Sequence, residues 1–90
     1  MRHLVISAIC NPVRLKLIRC LSARSKNVQD LVRNCGLSQS AVSQHLLKLK
    51  KSGLVKSEKE GKFIYYSLTN QKAAKIAEMI QNFSVKAPTT

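Results

Sequence analysis

Tryptophan is absent from this 90-residue chain, and Phe and Tyr contribute only two residues each. So few rings cannot build the stacking platform on which single-stranded nucleic acids are held. Acidic side chains are nearly as scarce, four against 16 Lys and Arg. Asp30, Glu58, Glu60 and Glu78 form no carboxylate pair, and no nucleophile stands at a useful spacing from a base, so an enzyme is not expected. Long apolar runs are missing too; none approaches the ~20 residues that a membrane-spanning helix needs. The first ten residues superficially resemble a lipoprotein signal. Their apolar run is too short, and Ile9 occupies the place before Cys10 where a small residue is required. The three cysteines, an odd number without C-x-x-C spacing, fit a reducing compartment better than a disulfide framework. A cytoplasmic protein without a membrane partner is expected.

What the chain has in excess is positive charge, a formal +12. Such an excess on one small domain is self-repelling unless a polyanion is the partner. The basic residues are spread along the chain rather than gathered in a tail, which favours nucleic acid over an anionic membrane.

The stretch from Leu37 to Val55 shows how that partner would be read. Ser38 is suited to cap a helix N-terminus, and Gly53 to close the helix with a left-handed residue. At 100° per residue Val42, Leu46 and Leu49 form a narrow apolar stripe. Gln39, Ser40, Ser43 and Gln44 fall together on another face, with Lys51 further along. Base-edge readers at the front and phosphate contacts behind are what a helix entering the major groove requires. A solvated helix face has the same composition, so the flanking elements decide between the two.

Those elements are legible in order. Residues 4–9 suggest a short apolar helix. Asn11-Pro12 then starts a second, running to about Ser22, in which Val13, Leu17 and Leu21 recur and Arg14, Lys16 and Arg19 take the wetter faces. After a polar connection over residues 23–26, Asn27 caps a third helix with Val28, Leu31, Val32 and Cys35 at i, i+3, i+4 and i+7. Gly36 stops it and Ser38 starts the next, which makes a helix-turn-helix. From Gly53 onward the period becomes 2. Residues 54–59 and 62–68 predict two strands with a Glu60-Gly61 turn, a basic hairpin that forms a wing. Thr69 or Asn70 caps a last helix with Ala73, Ile76, Ala77, Ile80 and Phe83 in one stripe. The fold class is thus mainly α with a small β-hairpin, a winged helix-turn-helix. One domain spans residues 1–84, and a flexible tail spans 85–90.

This order resembles the ArsR/SmtB family of small winged-helix repressors. The resemblance is carried by Asn11-Pro12-Val13-Arg14-Leu15, the run from Leu37 to Leu46, Ser52-Gly53-Leu54-Val55, and Glu60 to Leu68. It implies a homodimer built from the first and last helices, reading an inverted repeat of double-stranded DNA and letting go when an inducer binds. Leu4, Val5 and Ala8 on the first helix, with Ala73, Ile76, Ala77, Ile80 and Phe83 on the last, are the expected dimer contacts. Metal-sensing members carry Cys-Val-Cys where this chain has Asn27-Val28-Gln29. Others use Asp and His where it has Asn70 and Lys72. Amide and ammonium groups cannot replace those ligands, so no metal and no other cofactor is expected, and the inducer is unknown. Leu47 departs from the family's usual basic residue; it could touch a thymine methyl, but packing against the wing or the turn is the expected role.

The expected DNA contacts are Ser38, Gln39, Ser40, Ser43, Gln44, His45, Lys48, Lys51, Lys59 and Lys62. Glutamine can pair bidentately with adenine, and serine is permissive. His45 is taken as a phosphate or base contact; its alternative is a half-buried structural histidine. Cys10, Cys20 and Cys35 occupy apolar positions, and of these Cys10 is the best candidate for a redox switch. Two rivals to a plain repressor stay open: a low-specificity architectural DNA coater and a thiol-responsive repressor. A winged helix for RNA or for a protein partner is a third.

Overall fold

A computed structural model describes residues 7–86, with side chains from 7 to 83. Residues 7–9 are helical, and Leu4 and Val5 lie outside the described residues. Helix α1 (Pro12–Leu21) starts where Asn11 stops being extended. Its carboxamide oxygen accepts from the N–H groups of Val13 and Arg14 at 2.9 and 3.1 Å, and Pro12 fills the first position, where no donor is missed. A two-residue strand β1 (Lys26–Asn27) leads into helix α2 (Val28–Cys35). There Asn27 and Asp30 form a reciprocal capping box, with Asp30 N–H donating to Asn27 Oδ1 at 2.8 Å. Gly36, at φ 66°, ends α2 in the left-handed conformation and turns the chain into helix α3 (Gln39–Lys51). Ser38 Oγ caps α3 by accepting from Ala41 N–H at 3.1 Å.

The end of α3 is a Schellman motif. Leu54 N–H donates to Leu49 O and Gly53 N–H to Lys50 O, both at 3.1 Å, with Gly53 at φ 86°. Strands β2 (Val55–Glu60) and β3 (Phe63–Leu68) then pair antiparallel from Val55↔Leu68 to Glu60↔Phe63. The connecting residues are therefore Gly61 and Lys62, one position later than Glu60-Gly61. The positive φ belongs at the first of the two loop positions, and Gly61 supplies it at 61°. Lys62 accordingly stands in the turn and not in the strand. At the other end Thr69 locks the hairpin to the helix terminus, its hydroxyl donating to Gly53 O at 2.6 Å. Asn70 takes the capping role on helix α4 (Lys72–Lys86), its side chain accepting from Lys72 N–H at 2.8 Å. That helix runs two residues past the expected domain boundary at 84, and residues 87–90 lie outside the described part.

The winged helix-turn-helix expected from sequence is present, with one addition. Lys26 and Asn27 pair with Tyr66 and Tyr65, which makes the sheet three-stranded in the order β1-β3-β2. Two residues are too few to show a period of 2. Lys26 is also buried, because its ammonium donates to the carbonyl of Cys20 at 2.6 Å, one of the free acceptors at the end of α1. The core joins all the helices: Leu17, Ile18 and Leu21 of α1, Leu31 of α2, and Val42, Leu46 and Leu49 of α3 are fully enclosed, and α4 packs on α1 through Ala73 and Ala77.

Candidate nucleic-acid interface

Each turn of α3 divides between core and solvent. Val42, Leu46 and Leu49 are buried, while Ser38, Gln39, Ser40, Ser43, Gln44, Lys48 and Lys51 are exposed. The apolar stripe thus fixes the rotation of the helix and leaves the short amide and hydroxyl side chains facing outward. The wing contributes Lys59 and Lys62, both exposed. Lys50 Nζ donates to Ser57 Oγ at 2.8 Å, so the C-terminal end of α3 is tied to the first wing strand. Gln39 and Lys62 line one cleft of about 240 Å³ with Asn27, Phe63 and Tyr66, which puts the first expected base reader beside the wing tip.

Leu47 does not pack against the wing or the turn. It is 54% exposed and lines an open groove of about 410 Å³ with Ser7, Ala8, Gln44, Lys48 and Lys51. Its helical position points it into the outward face, away from the stripe that the core claims. The groove brings the end of the first helical segment alongside the reading helix, a neighbour that α3's own periodicity could not show.

His45 is half-buried at the edge of that face, and its partner is Arg14. Arg14 was expected on a wet face of α1 but is buried: Nε donates to Ala8 O at 2.7 Å, an Nη to Ser7 O at 3.1 Å, and the other Nη lies 3.3 Å from His45 Nδ1. The guanidinium caps the carbonyls that residues 7–9 leave free and spends its remaining arm on the reading helix. Guanidinium can only donate, so Nδ1 accepts and the imidazole proton resides on Nε2. Burial, the Arg14 charge and Lys48 hold the His45 pKa below its ordinary 6.5.

The expected dimer contacts separate. Ala8, Ala73 and Ala77 are buried within the subunit, because small side chains let α4 and the first segment approach α1 closely. Ile80 is packed partly on the core, whereas Ile76 and Phe83 are exposed. Met79, which the sequence reading passed over, is 65% exposed, and with Ile76, Ile80 and Phe83 it completes an i, i+3, i+4, i+7 stripe. The cysteines also separate. Cys10 is exposed, although its sequence position suggested an apolar site, since it falls in the break between residues 7–9 and α1. Cys20 Sγ and Cys35 Sγ meet at 3.8 Å. Among the described residues no three His, Cys, Asp or Glu side chains converge as metal ligands, and no helix is long and apolar enough to cross a membrane.

Comparison with known proteins bears on this outward-facing helix and wing directly. Residues 11–57, from the α1 cap into the wing, match the model of the bacterial regulatory protein, arsR family. The chain belongs to the ArsR family. It is 41% identical over 71 residues to the nodulation protein NolR of Rhizobium meliloti, which covers 79% of this chain and 58% of NolR. It is 31% identical over 83 residues to the transcriptional activator HlyU of Vibrio cholerae, covering 92% and 77% of the two chains. Among solved structures, the homodimeric winged helix-turn-helix DNA-binding domain Mb0332 of Mycobacterium bovis superposes with a TM-score of 0.79 at 25% identity, over 93% of this chain and 78% of that one. Fold and family are those of DNA-binding transcriptional regulators and not of enzymes. In this ArsR-family chain the matched segment contains all of α3, so the helix that the core stripe turns outward is also the one the family model spans.

Proposed function

We propose that this chain is a homodimeric repressor in the cytoplasm and that it reads an inverted repeat in double-stranded DNA. The observation that carries this reading is the outward face of α3, where Gln39, Ser40, Ser43 and Gln44 are exposed together beside a lysine-bearing wing. Gln39 and Gln44 offer bidentate amides to adenine, and Ser38, Ser40 and Ser43 supply hydroxyls to bases or phosphates. Lys48, Lys51, Lys59 and Lys62, with Nε2–H of His45, contact phosphates. Ile76, Met79, Ile80 and Phe83 face a second copy, as the homodimeric state of the Mycobacterium bovis neighbour supports. Two α3 helices then enter successive major grooves about 34 Å apart. A dimer seated there occludes a promoter by volume alone, which is repression.

The test is fluorescence anisotropy of the reduced protein on its own upstream DNA and on a scrambled duplex at about 150 mM salt, with stoichiometry measured alongside. A preference of roughly a thousandfold with two subunits per site is the expected result. Equal affinity for both duplexes, and for fragments selected from the genome, would establish an architectural coater instead. Added to a reconstituted transcription reaction, the protein should lower and not raise output from that promoter.

A further inference from the structure

Cys20 and Cys35 are fifteen positions apart in sequence, on different helices, yet their sulfur atoms are in contact at 3.8 Å. Their surroundings are unequal. Cys35 is buried at the last position of α2, and Cys20 is half-exposed near the end of α1. We propose that Cys20 and Cys35 are a dithiol site that reacts with low-molecular-weight disulfides to close an intramolecular disulfide, and that closure displaces the turn in front of the reading helix.

The order of steps follows from access. Cys20 is the sulfur a reagent can reach, and its thiolate attacks one sulfur of R–S–S–R, expelling RS⁻ and leaving a Cys20–S–S–R mixed disulfide. Burial and the neighbouring Cys20 push the Cys35 thiol up to about 11, so Cys35 keeps its proton during this first exchange. Lys16 and Lys26 act on the Cys35 thiol in the opposite direction, favouring its thiolate. Lys26 is held in place by its bond to Cys20 O at 2.6 Å. In the second step Cys35 gives up its proton to the expelled thiolate and attacks Cys20 Sγ, releasing the second RS⁻. Two protein thiols are oxidised, and one external disulfide is reduced to two thiols.

Closure must shorten the sulfur separation from 3.8 Å by roughly 1.8 Å, since the S–S bond is about 2.0 Å. Side-chain rotation takes up part of this, and the end of α2 takes up the rest. Cys35 is followed at once by Gly36, whose left-handed φ of 66° sets the turn, and by the cap residue Ser38. The displacement therefore arrives at the N-terminal end of α3, where Gln39 and Ser40 stand. Loss of one base contact corresponds to about a tenfold weaker operator complex.

The effect on DNA rests on the reading above, but bond formation does not, and the test keeps them apart. A Cys10→Ser protein, which leaves only the pair, is incubated with oxidised glutathione, denatured and treated with iodoacetamide. The expected product takes up no alkyl group, is two hydrogens lighter than the reduced protein, and yields a tryptic peptide joining residues 20–24 to 34–48. On DNA selected by the reduced protein, the oxidised form should bind about tenfold more weakly, and dithiothreitol should restore affinity. Adding Cys20→Ser, at the half-exposed position, should make affinity indifferent to oxidised glutathione. Two alkylated thiols, or a lasting glutathione adduct on Cys20, would overturn the dithiol site. A closed bond with unchanged operator affinity would overturn its coupling to the turn. Failure of the reduced protein to bind any duplex would sink the DNA reading and leave the mass measurement intact.

Discussion

Arg14 carries a permanent charge into the interior, which is costly unless its donors are filled. The carbonyls of Ser7 and Ala8 and the ring of His45 fill them. The arrangement depends on a neutral imidazole. Because folding lowers the His45 pKa from 6.5, the folded state binds this proton less readily than the unfolded chain. The stability this confers is present above about pH 6.5 and is lost as pH falls through the lower folded value. Thermal melts between pH 7.5 and 5.5 should show Tm dropping on acidification, and His45→Gln, which keeps an acceptor without titrating, should flatten that drop. On the outward face the expectation is different in kind. Gln39→Ala should cost on the order of 1–3 kcal/mol of operator affinity and relax preference at one base position. Competition titrations against a panel of point-substituted operators read this; an equal loss on every sequence would remove Gln39 from the base readers. Gln39 was legible in the sequence because α3's periodicity sets it on the flank of the Ser40, Ser43 and Gln44 face, outside the apolar stripe. Arg14 was not, because its acceptors are backbone carbonyls of another segment, and carbonyls leave no mark on residue spacing.

Elements were legible wherever a boundary carries its own local chemistry. Asn11 with Pro12, Asn27 with Asp30, Ser38 and Gly53 each satisfy or terminate a helix within a few residues, and each does so in the structure. Strand β1 escaped because its two residues pair with Tyr65 and Tyr66, some forty positions away, and nothing beside Lys26 announces that partner. The turn was misplaced by one residue because Glu60-Gly61 and Gly61-Lys62 are both polar pairs containing the glycine, and only the register Glu60↔Phe63 separates them. That shift matters for the wing, since it lifts Lys62 out of the ladder to the tip. Lys62→Ala should weaken binding to all duplexes alike and reduce the slope of log K against log salt by about 1. Anisotropy titrations at several salt concentrations measure it, and an unchanged slope would remove Lys62 from the phosphate contacts.

At the scale of the whole molecule, α4 works on two sides. Ala73 and Ala77 press against α1, while Ile76, Met79 and Phe83 face outward. Large apolar side chains on an exposed stripe of a small domain mark a surface that contacts a partner, and the dimer proposed above uses it. Met79→Glu should therefore leave the subunit folded and shift sedimentation equilibrium from dimer to monomer, with loss of the two-subunit DNA complex. A fully dimeric Met79→Glu protein would place the association surface elsewhere. The same charge at Ala77 should unfold the chain, because that site has no solvent to receive it.

The triple attachment of Arg14 has a bearing on which DNA spacings can be accommodated. Residues 7–9, α1 and α3 converge on one planar group, so the reading helix cannot swivel relative to its own subunit without breaking one of those bonds. In the dimer proposed above, two such subunits joined through α4 would form a caliper of set jaw width. An operator lengthened or shortened by a single base pair rotates one half-site by about a tenth of a turn, and a stiff caliper rejects it. With Arg14→Lys, which cannot hold three acceptors in one plane, the protein should accept such altered spacers more evenly, trading selectivity among sites for a looser grip on the best one.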